Sequence, residues 1–244
     1  MNSDWMCYHF GIMKYFFYFG LQFRRIINYV SKKLLKAKFF DDFDWNNYTS
    51  RDYGPQLDEM RKVNNVLLPS NLEFIENLAN FRLNPEIEQL YRRVMELSPK
   101  DLLEVGAGAG SNLINLQLLL PTARVAGVEL LSSQVDLGKS IFGVRFPQQE
   151  IVVADFIKED IKYLGDYEMV FTNAVAMHLT SRKVKALILK MLSYSRKYVL
   201  LHENLTHSHN FLEILLDLNE YTEFQFTIEK PSNSAFGFVI IAKN

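Results

Sequence analysis

Residues 101–129 read DLLEVGAGAGSNLINLQLLLPTARVAGVE and contain the clearest structural pattern of the chain. The apolar run at 101–105 predicts a strand covered on both faces, and the glycines after it predict a sharp turn of bare backbone. An apolar helix is expected over 111–120 and a second strand over 124–128. A strand, a glycine turn, a helix and a second strand ending at the carboxylate of Glu129 are typical of a nucleotide-binding unit.

The spacing of the glycines and the acid before them indicate which ligand this turn would take. The glycines are spaced G-x-G-x-G, whereas a dinucleotide fingerprint has G-x-G-x-x-G. Glu104, two residues before the turn, would repel a pyrophosphate and attract an ammonium group. S-adenosylmethionine carries an ammonium group and no phosphate, so the pattern favours it as the cofactor; a local ion pair is the structural alternative for Glu104. The residues of the turn predicted to bind the cofactor are Gly106, Ala107, Gly108 and Gly110.

Beyond residue 129 the sequence alternates between strand and helix patterns, as in βαβ units with a mostly parallel sheet. Further strands are expected at 150–154, 168–172, 197–203, 223–228 and 236–242. Further helices are expected at 84–97, 132–141, 158–164, 181–194 and 209–219. Asn84 is the expected cap of the first of these helices.

The residues that follow the predicted strands are further cofactor-binding candidates, because ligands of open α/β sheets bind beyond the carboxyl ends of the strands. Glu129 is placed to accept hydrogen bonds from a ribose diol. Asp155 is placed to accept from an adenine amino group, with Phe156 beside the ring; a turn cap is the structural alternative for this aspartate. The candidates at these strand ends are Glu129, Leu130, Asp155, Phe156 and Asn173.

Four segments of the chain resemble motifs of the class I (Rossmann-like) S-adenosylmethionine-dependent methyltransferases. LLEVGAGAG is similar to their first motif, VAGVE to their ribose-binding motif, IVVADF to the motif that holds adenine, and MVFTNAVAMHL to their fourth strand and its loop. The resemblance covers about residues 99–244. It implies an α/β fold with a seven-stranded, mostly parallel sheet and a terminal antiparallel strand. FDWNNY, QLDEM, AVAMH and HEN further resemble a bacterial subgroup, of small-molecule or glycan methyltransferases, whose substrates are not assigned.

The ends of the fourth and fifth predicted strands hold the candidate catalytic residues. Methyl transfer to a hydroxyl requires removal of its proton, and histidine titrates in the useful range. We predict His178 as this base, with Glu203 or His207 as its orienting partner or substitute; a structural histidine is the alternative. Metal-dependent catechol-type methyltransferases carry an aspartate where this chain has Asn173, and loss of that charge weakens binding of a hard cation. We therefore predict no metal.

Charge and cysteine content restrict the partners of the chain. The net charge is −1, but residues 1–40 hold seven lysines and arginines against Asp4, so the remainder carries −7. A body of that sign is a poor candidate for binding a phosphate backbone, and NAVA replaces the N-P-P-Y-type motif of adenine amino-methylation. We predict no nucleic-acid partner. Cys7 is the only cysteine, which excludes a disulfide framework and fits a cytoplasmic protein.

Residues 1–40 form a separate N-terminal segment, followed by a predicted helical cap region at 41–98 and the cofactor domain at 99–244. Aromatic and aliphatic residues fall on one side of a helical pattern at 19–36, and basic residues lie on the other. Such a helix is typical of peripheral contact with anionic lipid at the inner face of the membrane. A helix packed on the domain and a true span are the alternatives. Sedimentation with anionic liposomes, with and without residues 1–38, separates these hypotheses.

The sequence thus predicts methyl transfer from S-adenosylmethionine to an oxygen or nitrogen atom of a small molecule, and the N-terminal helix makes a sugar or a lipid-linked glycan one candidate acceptor. An NAD(P)-dependent oxidoreductase is the main enzymatic alternative, and Glu104 and Asp155 count against it. A non-catalytic subunit that keeps the cofactor fold to bind a partner at the membrane is the other alternative. The intact glycine turn counts against this second one.

Overall fold

A computed structural model describes Thr49, Pro55 and residues 85–142, 150–206, 209–220, 222–232 and 234–243. The predicted N-terminal segment at 1–40, the expected cap Asn84 and the candidate His207 lie outside these described residues. Of the predicted cap region at 41–98, the structure describes residues 85–98 together with Thr49 and Pro55. Within the described part of the chain, no helix is both long and apolar enough to cross a bilayer.

Strands and helices alternate along most of the described chain. The strands are β1 (Asp101–Val105), β2 (Arg124–Glu129), β3 (Glu150–Val153), β4 (Tyr167–Asn173), β5 (Ser195–Asn204), β6 (Gln225–Glu229) and β7 (Phe236–Ala242). The helices are α1 (Pro85–Leu97), α2 (Ser111–Leu119), α3 (Ser132–Phe142), α4 (Ser181–Tyr194) and α5 (Phe211–Asn219). With one exception, the elements predicted from the sequence begin and end within two residues of these bounds.

The strands form one seven-stranded sheet in the order β3-β2-β1-β4-β5-β7-β6. β1 pairs in parallel with β2 on one side and with β4 on the other. β7 is antiparallel to both of its neighbours, β5 and β6. The predicted fold class, a mostly parallel α/β sheet with a terminal antiparallel strand, is therefore confirmed. The strand order reverses between β1 and β4, and ligands of open α/β sheets bind in the crevice at the carboxyl ends of the strands beside such a reversal.

The sheet is buried on both faces. Leu102 and Leu103 are adjacent in β1 and point to opposite faces, as the strand period of two requires, and both are fully buried. The face of Leu103 packs against α4 and α5, whereas the face of Leu102 packs against α1 and α2. Helix α1 lies before the predicted cofactor domain in sequence, yet it supplies Leu90 and Val94 to this second core.

The helix predicted at 158–164 is wrong, because these residues form turns and a single 3₁₀ turn, Lys162–Leu164. The carboxylates of Asp155 and Asp160 accept hydrogen bonds from backbone N–H groups two or three residues later. Such local bonds give the backbone an alternative to helical hydrogen bonding. Gly165, with a φ of 82°, ends the segment before β4.

Candidate active site

The glycine turn after β1 brings bare backbone to the crevice of the sheet. Gly106 and Gly108 have φ values of 79° and 56°, in the left-handed region that favours glycine. The N–H groups of Gly106 and Ala107 both donate to the carbonyl of Val128 in β2, over 2.8 and 3.1 Å. A Cβ at position 106 would overlap the side chain of Val175, in the loop after β4. The turn is therefore packed tightly between the ends of β2 and β4.

Glu129, at the end of β2, connects the glycine turn to the start of α3. Its side chain is buried, with one carboxylate oxygen accepting from the Gly108 N–H at 2.8 Å and the other from the Leu131 N–H at 3.0 Å. Burial raises the pKa of this carboxyl group, and the backbone hydrogen bonds oppose that effect. Each oxygen has further lone-pair capacity, so the carboxylate can still accept from a ligand hydroxyl.

Glu104 is a buried acid directly beneath the glycine turn, with a side chain only 1% exposed. Its Oε1 accepts a hydrogen bond of 2.7 Å from Asn112 Nδ2, an amide rather than a lysine or arginine. Its Oε2 is buried and has no hydrogen-bond partner among the described residues. Burial raises the pKa of Glu104 to about 8, Asn112 lowers it, and the nearby Glu129 raises it further. A buried oxygen without a partner costs free energy, and such groups concentrate at functional sites.

At the end of β3, the two predicted adenine-binding residues are engaged by the protein itself. Asp155 accepts from the N–H groups of the turn that follows it and pairs with Lys158 Nζ at 2.9 Å. Burial raises the pKa of Asp155, but the contacts with Lys158 outweigh it and the net pKa is lowered. Phe156 is buried and packs on Tyr194, with 5.5 Å between ring centroids. Asp155 thus caps its own turn, and Phe156 belongs to the core.

Two apolar side chains are exposed where β2 and β3 end side by side. Leu130 is 52% exposed and Val153 is 48% exposed. Val153 pairs with Glu129 in the sheet, so both apolar groups lie next to the acid at the end of β2. The sequence predicts Leu130 as a cofactor contact, whereas for Val153 it predicts only a place in the strand at 150–154. Its exposure depends on β3 being an edge strand, which the local pattern does not reveal.

The turn after β4 carries His178 and is held by Glu203 of β5. Glu203 is fully buried and accepts four hydrogen bonds of 2.9–3.1 Å, from the Thr172 hydroxyl and from the N–H groups of residues 175–177. Burial raises the pKa of Glu203 to about 7, against the effect of these donors. His178 is partly buried, and burial lowers its pKa. The imidazole is therefore neutral at neutral pH, the state in which it can accept a proton.

His202, which sequence reasoning did not select, fixes the predicted cofactor residue Asn173. Its Nδ1 lies 2.8 Å from Asn173 Oδ1, and its ring packs on Phe238 and Phe236 with centroid distances of 4.9 and 5.2 Å. Burial lowers the pKa of His202 to about 4, so the ring is neutral. Both phenylalanines come from β7, which pairs with β5 in the antiparallel direction. No local signal in the sequence predicts which strand β7 pairs with.

His209 is a second histidine that the candidate set omitted. Its Nε2 lies 2.9 Å from the Ala176 carbonyl oxygen, and its Nδ1 lies 3.1 Å from the Ser181 hydroxyl. It therefore connects the loop after β5 to the turn that carries His178. The only sequence signal for it was its position shortly after a predicted strand.

The strand order, the left-handed glycine turn and the buried acids of β1 and β2 define the Rossmann-like fold of class I methyltransferases. No protein-family model and no curated protein sequence matches the chain. Its structure is similar to that of magnesium protoporphyrin IX methyltransferase from Synechocystis PCC 6803 with bound S-adenosylmethionine. That comparison has a TM-score of 0.55 and 14% identity and covers 82% of this chain and 94% of the other.

Other solved structures with this fold carry different named substrates. CalS10, an amino pentose methyltransferase from Micromonospora echinaspora, has a TM-score of 0.53 at 12% identity, over 72% of this chain and 99% of its own. The small RNA methyltransferase HEN1 has a TM-score of 0.55 at 16% identity, over 65% of this chain and 25% of its own. At these identities the likeness establishes the fold, and the named substrates differ too widely to indicate an acceptor.

Proposed function

We propose that this protein binds S-adenosylmethionine at the carboxyl ends of β1, β2 and β3 and transfers its methyl group to an oxygen or nitrogen atom of a small molecule. The observation that carries this proposal is the buried Oε2 of Glu104, which has no hydrogen-bond partner among the described residues. An ammonium group would supply both a donor and a compensating charge. A diphosphate at the same turn would face two buried acids, Glu104 and Glu129.

Each part of the proposed cofactor matches a group near the carboxyl ends of the strands. Glu104 would hold the ammonium group, the backbone of Gly106–Gly110 would face the methionine portion, and Glu129 would accept from the ribose hydroxyls. The exposed Leu130 and Val153 would cover the faces of the adenine, with Asp155 and Asn173 at its edge. When bound, S-adenosylmethionine supplies an electrophilic methyl group on a sulfonium. The protein's own contribution is to hold that group and the acceptor in line.

His178 is the proposed base for an acceptor hydroxyl or amine. It lies on the turn after β4, at the crevice where the strand order reverses. Its lowered pKa keeps the imidazole unprotonated at neutral pH. Glu203 would act as a positioning residue, because it holds the backbone of the turn through its N–H groups. His207 remains the proposed substitute base.

Calorimetric titration tests the cofactor. We expect the wild-type chain to bind S-adenosylhomocysteine and to show no binding of NADH at the same concentration, because the acids at the turn repel a diphosphate. Tight binding of NADH without binding of S-adenosylhomocysteine would instead support the oxidoreductase.

The His178→Gln variant tests the base. With an acceptor found by screening extracts with a labelled methyl donor, we expect label transfer to fall by about 100-fold, within the usual range for loss of a general base. Binding of S-adenosylhomocysteine should be unchanged, because His178 is assigned to the acceptor side. Transfer at the wild-type rate would remove His178 from the mechanism.

We further propose that the acceptor is a sugar or a lipid-linked glycan and that residues 1–40 bring the protein to an anionic membrane surface. The seven basic residues of that segment support the membrane part. The net charge of −7 on the remainder argues against a nucleic-acid acceptor. The labelled product of the extract screen identifies the acceptor directly.

A further inference from the structure

A buried chain of hydrogen bonds connects helix α1 to Glu104. Asn115 Nδ2 donates to the Tyr91 hydroxyl at 2.7 Å, and that hydroxyl donates to Asn112 Oδ1 at 3.0 Å. Asn112 Nδ2 then donates to Glu104 Oε1 at 2.7 Å. All four side chains are buried, with exposed fractions between 1% and 9%. We refer to Tyr91, Asn112, Asn115 and Glu104 as the Tyr91 network.

The direction of each bond in the Tyr91 network follows from the orientation of the Asn115 amide, whose Nδ2 faces the Tyr91 hydroxyl. A tyrosine hydroxyl has one hydrogen, and Asn115 supplies a donor to its oxygen, so the hydroxyl hydrogen is directed to Asn112. Asn112 must accept with its Oδ1, and its amide can therefore face Glu104 only with Nδ2. A donor facing Oε1 favours the ionised carboxylate.

We propose that Tyr91 and Asn115 are positioning residues that act through Asn112 to favour ionisation of Glu104 when the ammonium group of the ligand approaches its Oε2. This inference rests on the proposed function. Without the Tyr91 hydroxyl, the Asn112 amide can rotate and present Oδ1 to Glu104. An acceptor facing Oε1 requires a protonated carboxyl group, and a neutral carboxyl group attracts an ammonium less strongly. Among the described residues, the charge of Glu129 in β2 also acts on Glu104, and it favours the protonated form of Glu104.

The test compares two ligands that differ in the ammonium group. S-adenosylhomocysteine carries it, whereas 5′-methylthioadenosine lacks the amino-acid portion. For Tyr91→Phe we expect the affinity for S-adenosylhomocysteine at pH 7 to fall by about tenfold and that for 5′-methylthioadenosine to change by less than about twofold. The deficit should shrink as the pH rises above the pKa of Glu104, because the carboxyl group then ionises without help from Asn112.

Two further variants complete the experiment. Asn115→Ala removes the donor to the Tyr91 hydroxyl, and we expect a smaller loss, about threefold, confined to the same ligand. Tyr167→Phe is the matched control: Tyr167 is fully buried at the start of β4, and its hydroxyl has no hydrogen-bond partner among the described residues. This variant should leave the affinities for both ligands unchanged. Phenylalanine has nearly the same volume as tyrosine, so the packing should be kept. Retained binding of 5′-methylthioadenosine would show that the site is folded in each variant.

The possible results separate this inference from the proposed function. Equal losses for the two ligands in Tyr91→Phe, or no loss for either, would show a purely structural tyrosine and overturn the inference while the cofactor assignment stands. A loss that does not change with pH would also overturn it. A wild-type chain that binds neither ligand would overturn the proposed function and this inference together.

Discussion

Replacement of Glu104 by glutamine is expected to reduce the affinity for S-adenosylhomocysteine by at least about 100-fold, or roughly 2.8 kcal/mol at 1.4 kcal/mol per factor of ten. The reason is that Glu104 Oε2 is the buried, unbonded carboxylate oxygen proposed to hold the ligand's ammonium group. Loss of one partner of a buried charge pair leaves the other uncompensated. Isothermal titration of wild type and Glu104→Gln measures the change.

Two controls accompany this variant. Binding of 5′-methylthioadenosine, which lacks the ammonium group, should change by less than about threefold. Glu150→Gln makes the same chemical change at an exposed position at the start of β3, away from the carboxyl ends of the strands, and should not affect either ligand. Wild-type affinity for S-adenosylhomocysteine in Glu104→Gln would refute the central assignment of the site.

The same substitution is expected to make the unliganded protein more stable at alkaline pH. The pKa of Glu104 is about 8 in the folded protein, against an ordinary value of 4.5, so folding takes up a proton between these values. Stability from this group is therefore present below pH 4.5 and is lost as the pH rises to about 8. Glutamine has no such dependence. We expect the stability difference in favour of Glu104→Gln to grow by at least about 1.4 kcal/mol between pH 5 and pH 8. Urea denaturation at both pH values measures it.

Replacement of Gly106 by alanine is expected to destabilise the fold by about 2–5 kcal/mol, combining a left-handed backbone with overpacking. The φ of Gly106 is 79°, and its added Cβ would overlap Val175 Cγ2. Because the Val175 N–H itself donates to Glu203, movement of Val175 to relieve the overlap would disturb the turn that Glu203 holds. We also expect S-adenosylhomocysteine binding to be lost.

A double-mutant cycle separates the overlap from the backbone strain. Val175→Ala removes the overlapping methyl groups, so Gly106→Ala should cost at least about 1 kcal/mol less in that background. Gly165 provides the control, since it also has a positive φ, 82°, but an added Cβ would meet no atom within 4 Å. The cost of Gly165→Ala should not depend on residue 175. Additive costs at positions 106 and 175 would mean that the two do not pack as described.

The parts of this fold that local chemistry dictates were predictable from the sequence. The strand at 101–105, its glycine turn and the acids Glu104 and Glu129 follow from apolar runs, left-handed backbone and charge, each carried by neighbouring residues. The parallel pairing of β1 with β2 places both acids near the carboxyl ends of these two strands.

The parts that distant residues create were not predictable in this way. In the folded protein Glu104 bonds to Asn112, and Asn173 bonds to His202. The ring of His202 in turn packs on Phe238 of β7. Sequence spacing does not specify such pairs. The helix predicted at 158–164 failed for a different reason, since short acidic side chains bonded to their own backbone N–H groups. The hydrophobic pattern of a sequence does not show when side chains compete with helical hydrogen bonds for the backbone N–H groups.

Helix α1 changes where the cofactor unit begins. Its Leu90, Tyr91 and Val94 are almost fully buried against the sheet and α2, although they precede residue 99. A fragment starting at Pro99 would expose the apolar surface of the sheet and α2 that α1 covers, and it would lack the Tyr91 hydroxyl bonded to Asn112. The smallest segment that gene fusion or recombination could transplant with this core intact therefore starts no later than Pro85.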